Sequence, residues 1–213
     1  MASLIYIADP LCSWCYGFGP QLKALLAGLP EVSLDIVVGG LRAYNTEPMD
    51  DTLRDSLLQH WHHVAAETGL PFDYDALSRP GFIYDTEPAC RAVVTARQFA
   101  PAATLDVFHA IQHAFYAQGK ETTDGTTLAE IACAALHQAG TEISVTQFQT
   151  SWADDATIAA TRDEFTQTQR WGISGFPTLV LERDGKLDLI SAGFARTEVL
   201  VERMQALVDS ATV

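Results

Sequence analysis

The sequence predicts an α/β fold built from the two ends of the chain, with an all-helical block between them. Three observations carry this. Residues 3–38 read strand–helix–strand, residues 51–170 carry only helical patterns, and β signals return after Trp171 as strand–turn–strand–helix. A chain of 213 residues, 48% hydrophobic, is long enough for one sizeable core or one domain with an inserted subdomain. The expected division is 1–45 and 170–213 for the α/β part, and 46–169 for the helical insertion.

Taken in order, Ser3 to Ala8 is a short apolar run rich in β-formers, ended by Asp9-Pro10. Cys12 to about Leu29 follows as a helix, with Leu22, Leu25, Leu26 and Leu29 on one face and Pro30 as its stop. Ser33 to Val38 is a second strand closed by Gly39-Gly40, so the opening is a βαβ unit with parallel pairing. Helices are then expected near 51–68, 86–99, 102–118, 124–139 and 154–170. Their breaks are Gly69-Leu70-Pro71, Arg79-Pro80-Gly81, Pro101, Gly119 and Gly140. Thr86-Glu87-Pro88 suits a helix start, and Thr123-Asp124 and Asp154-Asp155 suit N-caps. Thr178 to Glu182 and Leu187 to Ser191 are strands joined at Asp184-Gly185, a hairpin signal. A helix from about Thr197 to Asp209 closes the chain.

Composition excludes several classes of function. The net charge is −14, with acids spread along the chain, which argues against nucleic acid and anionic membranes as partners. No apolar stretch reaches the about 18–20 residues a membrane helix needs, and the apolar run near the start is too short for a signal peptide. The expected location is the cytoplasm. Four cysteines, as one close pair and two distant singles, form neither a disulfide scaffold nor a four-cysteine zinc site.

The chemistry is carried by Cys12-Ser13-Trp14-Cys15, a CxxC between a strand end and a helix start. The spacing puts both sulfurs near the helix N-terminus, where free N–H groups and partial positive charge favour thiolate. There a thiol pKa falls from about 8.5 towards roughly 3.5–7.5. Cys12, nearest the end, is the expected exposed nucleophile. Cys15, one turn in, is the expected buried resolving thiol.

The strand–CxxC–helix opening resembles thioredoxin-like proteins. Pro20, eight residues after Cys12, matches the proline inside their active-site helix. Gly175-Phe176-Pro177-Thr178, just before a strand, looks like their cis-proline loop. The alternative is an ordinary trans proline opening a strand; the position before the strand favours the cis reading. The helical insertion resembles the DsbA family, and Asp9 to Gly17 is similar to its cytosolic, FrnE-like branch, with the likeness covering essentially the whole chain. It implies a thiol–disulfide oxidoreductase, or protein disulfide isomerase-like enzyme, working through Cys12, Cys15 and Pro177. Ser13, Trp14, Gly175 and Phe176 are the expected substrate contacts. The implied partners are protein or small-molecule thiols and disulfides. No cofactor or metal is implied beyond the Cys12–Cys15 pair, with glutathione or a partner dithiol recycling it. No residue argues for or against a homodimer.

The sequence departs from the superfamily in two places. The buried acid many members carry six residues before the first cysteine is replaced by Tyr6. Asp9 is the nearest acid, and either assists Cys15 or, as the preferred reading, caps the turn. Ser13-Trp14 is neither the histidine-containing pair of strong oxidants nor the Gly-Pro of reducing thioredoxins, so redox direction stays open.

Other residues divide between function and packing. Trp14 is either substrate surface or packing against the insertion, Phe18 is a candidate for the same surface, and Phe176 either offers its backbone or fills core. The resemblance to the DsbA family puts the helix starting near Thr86 at the edge of the active-site groove, which makes Thr86, Glu87 and Arg91 candidates for substrate contact. His60, His62 and His63, and His109 with His113, have spacings that suit a metal but lack further ligands, so hydrogen-bonded helix histidines are expected. Cys90 and Cys133 are expected to be buried apolar residues, and Phe108, Phe115 and Tyr116 to be core. Two alternatives belong to other classes. One is a glutathione-dependent isomerase or transferase like the kappa-class transferases and hydroxychromene carboxylate isomerases, which carry serine where Cys12 stands. The other is a redox-switched, chaperone-like binding module.

Overall fold

The computed structural model describes residues 2–210. Among them the chain runs β1 (Ser3–Ala8), α1 (Ser13–Ala27), β2 (Ser33–Val38), α2 (Asp51–Thr68), α3 (Glu87–Phe99), α4 (Thr104–Tyr116), α5 (Gly125–Gln138), α6 (Val145–Trp152), α7 (Asp155–Arg170), β3 (Thr178–Arg183), β4 (Lys186–Ala192) and α8 (Thr197–Ser210). The four strands form one mixed sheet in the order β2-β1-β3-β4. β1 and β2 are parallel, Ser3 opposite Ser33 through Ala8 opposite Val38, as the βαβ reading requires. β3 returns antiparallel to β1, and β4 antiparallel to β3. Asp184 and Gly185 take φ of 52° and 77°, the left-handed pair of a two-residue hairpin.

Local chemistry explains the helix ends. The side chains of Asp50, Asp124 and Asp154 accept N–H bonds from the first turns of α2, α5 and α7. Gly69, at φ 72°, ends α2 in the left-handed conformation that glycine adopts without penalty. The structure adds α6, which the sequence reading leaves as a break. Only Phe148 of its eight residues is buried, so no helical period registers. Its start is written locally, as the Ser144–Gln147 capping box. The segment expected as one helix over 102–118 opens with a 3-10 turn at Pro101–Ala103, and Tyr74–Ser78 forms another 3-10 turn.

One core joins sheet and helices. Leu4, Tyr6 and Ala8 on alternate positions of β1 are fully buried. The Tyr6 ring lies 5.8 Å from Phe18 of α1 and 5.7 Å from Phe108 of α4, centroid to centroid. Beside it Tyr16 stacks on Tyr116 at 4.9 Å, and Trp61 packs edge-on to Phe115 and Tyr116. Edge strand β2 is closed by an ion pair. Arg97 donates to the Ile36 carbonyl at 2.6 Å, Glu164 accepts from the Val38 N–H at 2.8 Å, and the two side chains meet at 2.5 Å. Main-chain groups that would otherwise template another strand are thereby satisfied.

Candidate active site

The turn after β1 delivers the CxxC. The Asp9 carbonyl accepts the Cys12 N–H at 3.0 Å, and the Cys12 carbonyl accepts the Tyr16 N–H at 3.0 Å. Cys12 is the extended N-cap of α1 (φ −91°, ψ 119°), and its side chain makes no capping bond. Cys15 lies inside the first turn. Cys12 retains 7% exposure and Cys15 none. The expectation of an exposed Cys12 is corrected: the thiol is buried, because the Phe176 loop meets it.

The second loop comes from the other end of the chain. The Phe176–Pro177 peptide is cis, as the resemblance implies. The Phe176 carbonyl accepts a hydrogen bond from the Cys12 thiol at 3.6 Å. The Pro177 carbonyl is engaged by the Gly193 N–H at 2.7 Å, and that of Gly175 by the Thr178 hydroxyl at 2.9 Å. The Phe176 ring lies on Gly39, so close that a Cβ there would come 2.1 Å from its Cζ. Glycine at 39 is what lets the three loops converge.

Asp9 ties these loops together. It is fully buried; one carboxylate oxygen accepts the Leu11 N–H at 2.8 Å, and the other accepts the Leu41 N–H at 2.7 Å. The Cys90 thiol donates to the second oxygen at 3.5 Å. The capping reading of Asp9 holds, extended to the loop after β2. Burial pushes its carboxyl pKa up, against hydrogen bonds from Thr86, Leu11, Leu41 and Cys90. Burial likewise pushes the Cys15 thiol well up, helped by its contact with Cys12. Cys90 is also raised, by burial first and then by the Asp9 charge.

Tyrosines hold the turn from below. The Tyr84 hydroxyl donates to the Leu11 carbonyl, and the Tyr6 hydroxyl donates to the Cys15 carbonyl at 3.4 Å. Burial raises the pKa of both, so they remain neutral donors. At the surface the half-buried Trp14 meets His63 edge-on at 5.3 Å and Phe194 at 5.5 Å, so it both packs and faces solvent. Ser13 is half-buried beside it, and Gly175 is exposed.

Several expectations are corrected. Phe18 is fully buried between Tyr6 and Phe194 and offers no surface. Glu87 and Arg91 face each other at 3.0 Å, and Arg91 lies 3.7 Å over the Trp152 ring, so this pair clamps α3 to α6. Thr86 is buried and accepts the Arg42 N–H at 3.1 Å. Cys90 is buried as expected but is bonded to Asp9 rather than inert; Cys133 is buried, and the four cysteines are unbridged. The histidines disperse: His62 stacks on Tyr74 at 4.2 Å, His63 meets Trp14, and His109 packs against Gly19 with its pKa lowered by burial. Among the described residues no three His, Cys, Asp or Glu side chains are placed to hold a metal, and no helix is long and apolar enough to cross a membrane.

A CxxC at a helix N-terminus, facing a cis-proline loop on a four-stranded mixed sheet, defines a thioredoxin-like α/β protein. Residues 4–205 match the DSBA-like thioredoxin domain, and the chain belongs to that family of thiol–disulfide oxidoreductases. No curated protein matches the sequence. Among solved structures, a candidate protein disulfide isomerase from Nitrosomonas europaea is 34% identical, with 98% of each chain covered and a TM-score of 0.88. The cytosolic disulfide reductase DsbM from Pseudomonas aeruginosa is 26% identical over 99% of this chain and 100% of its own, TM-score 0.78, and its structure has also been solved with GSH. A 2-hydroxychromene-2-carboxylate isomerase, 13% identical over 99% of this chain and 98% of its own, shares the fold at a TM-score of 0.66.

Proposed function

We propose that the protein exchanges disulfides with protein or small-molecule clients, with Cys12 as nucleophile, Cys15 as resolving thiol and the Pro177 loop as the substrate-facing wall. One observation carries this reading: the Cys12 thiol, the more accessible of the pair, points at the Phe176 carbonyl beside the cis-proline. Cys12 thiolate attacks one sulfur of a client disulfide. The client S–S bond breaks, and its electron pair leaves on the second client sulfur, which takes a proton from water. Cys15 then loses its proton and attacks the Cys12 sulfur. The Cys12–client bond breaks, the first client sulfur leaves as thiolate, and the pair is left as a disulfide. The client gains two electrons and the protein loses two.

Ser13, Trp14, Gly175 and Phe176 border the thiol and are assigned to client binding. The raised Cys15 pKa makes resolution the step that needs a proton removed, so it should accelerate with pH. DsbM is described as a cytosolic disulfide reductase and has been solved with GSH, which supports a cytoplasmic reducing role here with glutathione, or a partner dithiol, as recycling agent. The intact CxxC speaks against the glutathione-isomerase reading.

The test is a pair of variants mixed with oxidised glutathione and followed by intact mass. Cys15→Ser should accumulate a glutathione adduct on Cys12, and Cys12→Ser should form none and lose exchange. Full exchange activity in Cys12→Ser, with circular dichroism unchanged, overturns the assignment.

A further inference from the structure

Six arginines are half-buried: Arg42, Arg54, Arg79, Arg91, Arg97 and Arg183. Five pair with a carboxylate of the chain, at distances of 2.5–3.2 Å: Arg54 with Asp51, Arg79 with Glu121, Arg91 with Glu87, Arg97 with Glu164 and Arg183 with Asp188. The sixth, Arg42, has no carboxylate and no side-chain hydrogen bond among the described residues. Its guanidinium lies over the Tyr84 ring, 5.6 Å from the centroid. In a chain with 27 acidic and 13 basic residues, a half-buried cation left without an anion is an exception that calls for a cause.

Its position supplies one. Leu41 and Arg42 are fixed through their main-chain N–H groups, to Asp9 at 2.7 Å and to Thr86 at 3.1 Å. The same loop begins at Gly39, which carries the Phe176 ring. Tyr84, under the guanidinium, donates its hydroxyl to the carbonyl of Leu11, the residue before Cys12. Arg42 is thus tied, through Tyr84 and Thr86, to the segments that build the thiol site. A cation–π contact holds a guanidinium in place without neutralising it, and leaves the N–H edge free for a bidentate carboxylate.

We propose that Arg42 anchors a carboxylate carried by the disulfide substrate, so that the site selects small acidic peptide disulfides of the glutathione kind. The proposal rests on the disulfide-exchange reading given above. A single cation in a strongly acidic surface suits a small anion. A long polyanion would meet the repulsion of the remaining charge.

The experiment measures reaction of the reduced protein with three disulfides at fixed ionic strength. These are oxidised glutathione (anionic), bis(2-hydroxyethyl) disulfide (neutral) and cystamine (cationic). The readout is the ratio of the glutathione rate to the neutral rate. Wild type should prefer glutathione, and Arg42→Gln should lower that ratio about tenfold, the size of one solvent-accessible charge-assisted hydrogen bond. The loss should fall on KM rather than kcat, Arg42→Lys should recover part of it, and added salt should shrink the wild-type preference. An unchanged ratio in Arg42→Gln, whether the individual rates hold or fall together, overturns the proposal and leaves exchange standing. A wild-type protein inert towards all three disulfides overturns the exchange reading, and this proposal with it.

Discussion

Replacing Asp9 by alanine removes the acceptor that fastens two loops. The Leu11 N–H is fully buried, so losing its partner costs about 2 kcal/mol. The Leu41 N–H is only partly buried, and its loss adds about 1 kcal/mol. The expected destabilisation of about 3 kcal/mol corresponds, for a chain of this length, to a Tm roughly 6–12 °C lower. The cost also depends on pH. Burial raises the folded-state pKa of Asp9 above its ordinary 3.8. A group so shifted contributes its full stability below that ordinary value and loses it as pH rises through the folded value. The gap between wild type and Asp9→Ala should therefore be widest near pH 4 and narrow towards pH 8. Urea titrations at several pH values, followed by tryptophan fluorescence, measure it. A gap that widens with pH would mean that the folded state favours the carboxylate, and would refute this account of Asp9.

Two further substitutions probe the same convergence of loops. Gly39→Ala forces the Phe176 ring back by more than about 1 Å, a displacement that beside a reacting centre costs about 10²-fold in rate, and the second change Phe176→Ala should recover most of the loss; steady-state exchange with a neutral disulfide across the double-mutant cycle checks this. Tyr6→Phe keeps the ring between Phe18 and Phe108 but removes the donor to the Cys15 carbonyl, so stability should fall by about 1 kcal/mol. The glutathione adduct of Cys12 should also persist longer, as quenched-flow mass analysis would record.

The ends of the chain were more legible than its middle, for a physical reason. Ser3–Ala8 and Thr178–Arg183 are short, mostly apolar runs bounded by Pro or Gly, and a sheet needs little more than that from its buried strands, while edge strand Ser33–Val38 is marked by its Ile36-Val37-Val38 end and the Gly39-Gly40 stop. The CxxC could be read because it sits between a strand end and a helix start, whereas Pro177 is legible only through the family resemblance, since locally it is a proline that opens a strand. Helix α6 escaped because one buried phenylalanine makes no pattern. Arg91 looked like a groove residue because nothing in its local sequence announces Trp152, sixty-one positions away. Asp9 could be read as a cap but not as a link to Leu41, because a link across thirty-two residues depends on the register of β1 against β2. Phe18 shows the opposite failure: close to the cysteines in sequence, it turns inward with the buried face of α1.

The helical block also takes part in building the site. Two main-chain carbonyls at the turn that carries Cys12 and Cys15, those of Leu11 and Cys15, receive tyrosine hydroxyls. One tyrosine comes from β1, and the other from the segment leading into α3. The carboxylate behind the turn takes its thiol partner, Cys90, from α3 as well. The Arg42 guanidinium lies over Tyr84, and its main chain is held by Thr86. Sheet and helices thus contribute complementary halves of one buried polar shell around Cys12 and Cys15. Such a shell is strong only when every member is satisfied. The thiol pair, built at one end of α1, consequently depends on residues 84–90 as directly as on the strand that precedes it.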